Sequence, residues 1–152
     1  GDDVIALDKQ TPLALLGSID APWPTKSARE QGYKFRGYQL DKDGQPTFRY
    51  QIGSVNISDK PTFTNADGKR SLERRFEITL DSSSPEGLLV WRLASGNIKA
   101  IGDGKYRIDD AYDLSVDSVT CQVIRIGQQD ELRAKLPASN LESMTLIQTI
   151  TW

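Results

Sequence analysis

Histidine is absent from this 152-residue chain, and Cys121 is its only cysteine. Histidine is the usual general base near neutral pH and the commonest metal ligand. Its absence excludes a Ser-His-Asp or Cys-His arrangement and a zinc site of the usual kind. One thiol cannot close an internal disulfide. No run approaches 18 apolar residues, so no membrane-spanning helix is expected. Neither sign of charge dominates: 19 Lys and Arg stand against 21 Asp and Glu, for a net −2. That balance gives no argument for nucleic acid or an anionic membrane as a partner.

The length fits one domain, which at this size can bury roughly 68–70% of its unfolded surface without a metal or disulfide. The start, Gly1-Asp2-Asp3, is acidic where a secretory signal would be basic. It carries no initiating methionine, so the chain is expected to be a piece of a longer protein. Residues 1–20 read as an N-terminal arm or short strands, with Val4–Leu7 and Leu13–Leu16 as apolar pieces, and residues 21–152 as one β-sandwich domain.

Pro22-Trp23-Pro24 forces extended backbone. Thr25 can cap a short helix through 26–31, which Gly32 would end. From Tyr33 onward the pattern is that of strands. Tyr33 and Phe35 share a face, and Tyr38 and Leu40 follow in the opposite phase after Gly37. Phe48, Tyr50 and Ile52 alternate, and Val55 and Ile57 resume after Gly53. A glycine at each phase slip predicts a β-bulge. Asp41-Lys42-Asp43-Gly44-Gln45 is hairpin-loop chemistry. Alternation continues through Leu72–Leu80. Leu88–Leu93 is apolar on both faces around Trp91 and reads as a central strand. Strands are also predicted around 98–101, 106–108, 112–116, 119–123, 132–136 and 144–152. Many short strands between turn residues predict an all-β, antiparallel two-sheet sandwich, with the short helix near the N-terminus as its only helix.

Asp41–Gly44 lacks the spacing of an EF-hand loop, since glycine is fourth and Ile52 occupies the twelfth position. Asp109, Asp110, Asp113 and Asp117 form the densest acidic group. A glycosidase needs two carboxylates flanking the scissile bond, but these read as a turn and a strand edge. Arg70, Arg74 and Arg75 are balanced by Glu73 and Glu77. Cys121 reads as a small buried hydrophobe. No catalytic residue, metal site or cofactor is assigned. Trp23, Tyr33, Phe35, Tyr38, Phe48 and Tyr50 are a dense aromatic set. They form either cross-strand core pairs or a platform on which sugar rings stack. The candidate ligand-binding residues are Trp23, Tyr33, Tyr38 and Tyr50, with Arg36 and Arg49 either orienting polar ligand groups or, like Lys34, standing at ordinary outward strand positions.

Three blocks, Ala21–Pro24, Gly32–Asp41 and Gly44–Tyr50, resemble a β-sandwich module of large secreted bacterial proteins. Those proteins often also carry a c-type cytochrome domain and a sugar-dehydrogenase-like propeller. Leu72–Leu80 (LERRFEITL), Gly104–Asp110 (GKYRIDD) and Gln148–Trp152 fit the same module, so the resemblance covers roughly residues 20–152. It implies an exported location, periplasmic or extracellular, and an accessory role beside neighbouring domains of the same chain. It implies no catalytic residue, and without Cys-x-x-Cys-His the chain holds no covalent haem. The leading expectation is a non-catalytic accessory module, structural or ligand-binding, with carbohydrate as the candidate ligand. The rivals are a carbohydrate-active enzyme using Asp and Glu, and an intramolecular docking domain for a redox partner domain.

Overall fold

The protein is described by a computed structural model covering residues 12–25, 33–80, 87–117, 119–136 and 143–152. Twelve strands run through them: β1 (Leu13–Leu16), β2 (Tyr33–Leu40), β3 (Pro46–Ile52), β4 (Val55–Ala66), β5 (Lys69–Leu80), β6 (Leu88–Gly96), β7 (Ile98–Gly102), β8 (Lys105–Ile108), β9 (Tyr112–Asp117), β10 (Gln122–Ile126), β11 (Gln129–Lys135) and β12 (Ser143–Thr151). Among the described residues there is no helix. The short helix expected over 26–31 lies outside them.

The strands form two antiparallel sheets. One has four strands in the order β1-β6-β11-β10, and the other has eight in the order β2-β3-β4-β5-β12-β9-β8-β7. The described residues are therefore all-β, as the alternating runs predict. β1 lies at one edge of the smaller sheet and pairs with β6 from Leu13↔Trp91 to Leu16↔Leu88. Its Leu13 enters the main core.

The core is the layer between the sheets. Leu89, Trp91, Leu132 and Ala134 of the smaller sheet, with Leu136 just past β11, meet Ile57, Phe76, Ile78, Leu146 and Ile150 of the larger. β6 is buried on both faces because it lies between β1 and β11 and is covered on each side. Its register against β11 slips between Leu132↔Ala94 and Arg133↔Arg92, leaving Leu93 out of the ladder. The Leu93 carbonyl instead accepts a hydrogen bond from Nε2 of buried Gln148, 3.3 Å away on the facing sheet. The bulge thus frees one acceptor, and a buried amide satisfies it.

Glycine has two different roles at the expected phase slips. At Gly37 (φ 107) the β2–β3 register does shift, from Phe35↔Tyr50 to Tyr38↔Phe48. That is a bulge, and it returns Tyr38 to the face of Phe35. At Gly53 the expectation is corrected. Ile52 pairs with Val55, so Gly53-Ser54 is a two-residue hairpin turn and not a bulge. The strand expected over 119–123 is also shifted: β10 begins at Gln122, and Val123 faces solvent.

Pro61 lies inside β4 but past Asp59, the last β4 residue paired with β3. Its missing N–H therefore falls on an open edge, where proline costs no ladder bond.

Candidate functional site

The larger sheet is twice as wide as the smaller. At roughly 4.8 Å per strand, four strands cover only half of eight. Side chains in one cross-strand row therefore pass from covered to uncovered. In the row Tyr38–Phe48–Asp59–Phe76–Leu146, Leu146 and Phe76 are sealed and Phe48 is half-buried. Tyr38 is 64% exposed. In the row Phe35–Tyr50–Ile57–Ile78 the same gradient ends at Phe35, which is 60% exposed. Both rings lie on the core-side face of β2, beyond the reach of the smaller sheet.

The rings also pair across strands. Phe35 and Tyr50 have centroids 5.6 Å apart, and Tyr38 and Phe48 have theirs 6.4 Å apart. The two sequence readings of this set are thus both partly realised: the rings stack on each other and remain open to solvent. Leu40 at the end of β2 and Phe63 on β4 are exposed on the same face. Phe63 packs on Trp152, 5.8 Å away.

A charged pair lies among these rings. Asp59 is buried in the row of Tyr38 and Phe48, and Arg74 from β5 donates to both of its oxygens. The Arg74 guanidinium lies 4.9 Å from the centre of the Phe76 ring. Burial, and then the Asp59 charge, push the Tyr50 hydroxyl above its ordinary pKa, so Tyr50 stays a neutral donor.

Tyr33 belongs to β2, but its side chain lies outside the described residues. Trp23 does not join the platform. It is 6% exposed and packs on the outer face of the smaller sheet, against Ala14, Leu16 and Val90. Two guanidiniums approach its ring, Arg92 at 4.7 Å and Arg133 at 5.2 Å from the centre. Glu131 holds both cations: its Oε1 accepts from Arg133 Nε at 3.0 Å and lies 3.5 Å from Arg92. Arg133 also donates to the carbonyls of Ile19 and Ala21, which fixes residues 19–23 across the sheet. Pro22-Trp23-Pro24 is a structural latch in this arrangement. The sequence carried one signal for it, a charged Arg92 inside the otherwise apolar run Leu88–Leu93 of β6.

Arg36 and Arg49 lie on the opposite face of β2–β3 from Tyr38 and Tyr50, with Gln39, Thr47 and Gln51. The candidate residues thus divide among three surfaces. On this outer face Arg36 Nε donates to Gln51 Oε1 at 3.0 Å, and Arg49 donates to Gln39 Oε1 at 2.9 Å. A groove of about 460 Å³ is lined by Arg36, Thr47, Arg49, Asn56, Ser58 and Glu77, among others.

The acidic group serves the fold. Asp109 Oδ1 accepts from the Asn97 amide at 2.7 Å, where the chain passes from β6 in one sheet to β7 in the other. Asp110 meets Lys99 at 3.3 Å, and Asp113 meets Arg107 at 2.9 Å. The Arg107 contact holds the Asp113 carboxyl below its ordinary pKa. Asp41 caps its own hairpin, its Oδ1 accepting from the amides of Asp43 and Gln45, each at 2.9 Å. Among the described residues, no three Cys, Asp or Glu side chains are grouped to hold a metal ion. Cys121 is half-buried, and burial pushes its thiol up to about 11.

No protein-family model matches the sequence. Comparison with curated proteins also finds no match.

Proposed function

We propose that this chain is a non-catalytic accessory module that binds carbohydrate on the uncovered core-side face of β2 and β3. The observation that carries the reading is the exposure of Phe35 and Tyr38 on a face that elsewhere forms the core. An exposed apolar patch of this kind marks an interaction surface. A sugar suits it because a pyranose offers a C–H face to the rings and hydroxyls to polar groups beside them. Tyr50 and the Asp59–Arg74 pair provide those groups. The engagement of Asp109, Asp110 and Asp113 with backbone and basic partners supports a non-catalytic role. The resemblance over residues 20–152 supports an exported parent protein, periplasmic or extracellular, with the module beside other domains.

The test is titration with a panel of neutral oligosaccharides, followed by amide chemical shifts. An open platform buries only part of its ligand, so affinity of about millimolar order is expected. Shifts should map to β2 and β3, and Tyr38→Ala should abolish them while the melting temperature holds. No response to any member of the panel, with binding of a neighbouring domain to the same face, would replace this reading by the docking role.

A further inference from the structure

Arg74, Arg75, Arg92, Arg107, Arg125 and Arg133 each have a carboxylate partner. Arg36 and Arg49 have none among the described residues. Each is held by the oxygen of a neutral glutamine. Gln51 is itself oriented, because its Nε2 donates to the Gly53 carbonyl at 3.1 Å and turns its oxygen toward Arg36. Two uncompensated cations are therefore fixed side by side on one groove wall. The groove's carboxylate, Glu77, does not neutralise them. Arg49 pairs with Ser58 and Ser58 with Glu77, which places Glu77 two strands away, roughly 10 Å. Glu77 lies 3.8 Å from Arg75 instead.

We infer that this outer-face groove binds an acidic sugar residue of the uronate class. Arg36 and Arg49 take the carboxylate, because a guanidinium with unused N–H donors matches a carboxylate fork. The donors of Arg49 beyond its bond to Gln39 have no partner among the described residues. The floor of Thr47, Asn56 and Ser58 presents short hydroxyl and amide groups at the spacing of adjacent strands. Such a floor suits ring hydroxyls, and Glu77 at the far wall accepts from a hydroxyl. A bare anion would use only the arginine wall. The volume lies within the range of small-molecule sites. The choice of a sugar acid over another carboxylate rests on the carbohydrate reading above, but Arg36 and Arg49 lie on the opposite face of the sheet from the exposed rings of Phe35 and Tyr38.

Tetragalacturonate and its methyl ester separate charge from sugar, since only the carboxylates differ. With the native protein, tetragalacturonate should shift the amide and guanidinium resonances of Arg36, Arg49 and Ser58, and the ester should not. Binding should weaken as salt is raised to 0.5 M, roughly a 4 Å screening length. Arg36→Gln with Arg49→Gln should weaken it about tenfold or more. Arg125→Gln, an exposed arginine on β10, should leave it unchanged. Equal binding of the ester, insensitivity to salt, or acetate binding as tightly as tetragalacturonate would each overturn the inference. The ester and salt comparisons use the native protein and decide even if the double variant fails to fold. Neutral sugars failing on β2 while tetragalacturonate binds here would reject the ring platform alone.

Discussion

The ring of Trp91 on β6 meets Phe76 on β5 nearly edge to face, with centroids 5.3 Å apart and planes at 67°. This contact joins the two sheets at the centre of the core. Trp91 is 1% exposed. Trp91→Ala removes the largest side chain in that layer and leaves a cavity that rigid strands on both sides cannot close. The expected cost is about 3–5 kcal/mol, or roughly 6–20 °C in Tm for a domain of this size. Calorimetry decides, and a variant melting within a degree or two of the parent contradicts the assignment.

Glu131 is buried between Arg92 and Arg133. Glu131→Ala strands two buried cations, so a loss of about 3–5 kcal/mol is expected in urea unfolding. Buried ion clusters elsewhere are often replaced by apolar residues at no cost. Here that substitution should still destabilise, because Arg133 also satisfies the carbonyls of Ile19 and Ala21. A Met, Leu, Met replacement at 92, 131 and 133 as stable as the parent would refute this account.

Gly96 has φ 134, and a Cβ there would lie 2.5 Å from the Asp109 carboxylate. Gly96→Ala should therefore cost more than backbone strain alone, since it displaces the carboxylate that holds the Asn97 amide. Asp109→Ala should cost about 1–3 kcal/mol through that lost acceptor. It also puts alanine at a left-handed φ of 53. Asp109→Asn keeps an acceptor and tolerates that φ, so it should cost less. Urea midpoints for the three variants test the order.

Burial raises the Cys121 thiol to about 11. The thiolate fraction near neutral pH is therefore small, and alkylation should be roughly a hundredfold slower than for a free cysteine. Iodoacetamide rates from pH 7 to 10 check this. The rate should keep climbing past pH 9, where a normal thiol levels off.

Much of the architecture is legible in the sequence because the strand period is local. Alternation marks β5, and the apolar run marks β6. Asp41–Gln45 closes its hairpin through side-chain-to-amide bonds within five residues. Phase slips are local too, but their meaning is not. Gly37 and Gly53 present the same signal, and only the pairing of Ile52 with Val55 shows that one is a turn. Trp23 was legible as a notable aromatic, but not its place. Its neighbours Arg92 and Arg133 are 69 and 110 residues away.

Short antiparallel strands can be read directly from the residues, because side-chain alternation and turn chemistry act over a few positions. The same alternation sets Tyr50 and Arg49 on opposite faces of β3, since neighbours in a strand point to opposite sides. Which inward-facing rings are sealed depends instead on how the two sheets pack. Phe76 and Tyr38 share one row of one sheet face, yet one is 1% and the other 64% exposed. The difference is the width of the opposing sheet, four strands against eight, and strand order depends on pairings between residues far apart in the chain.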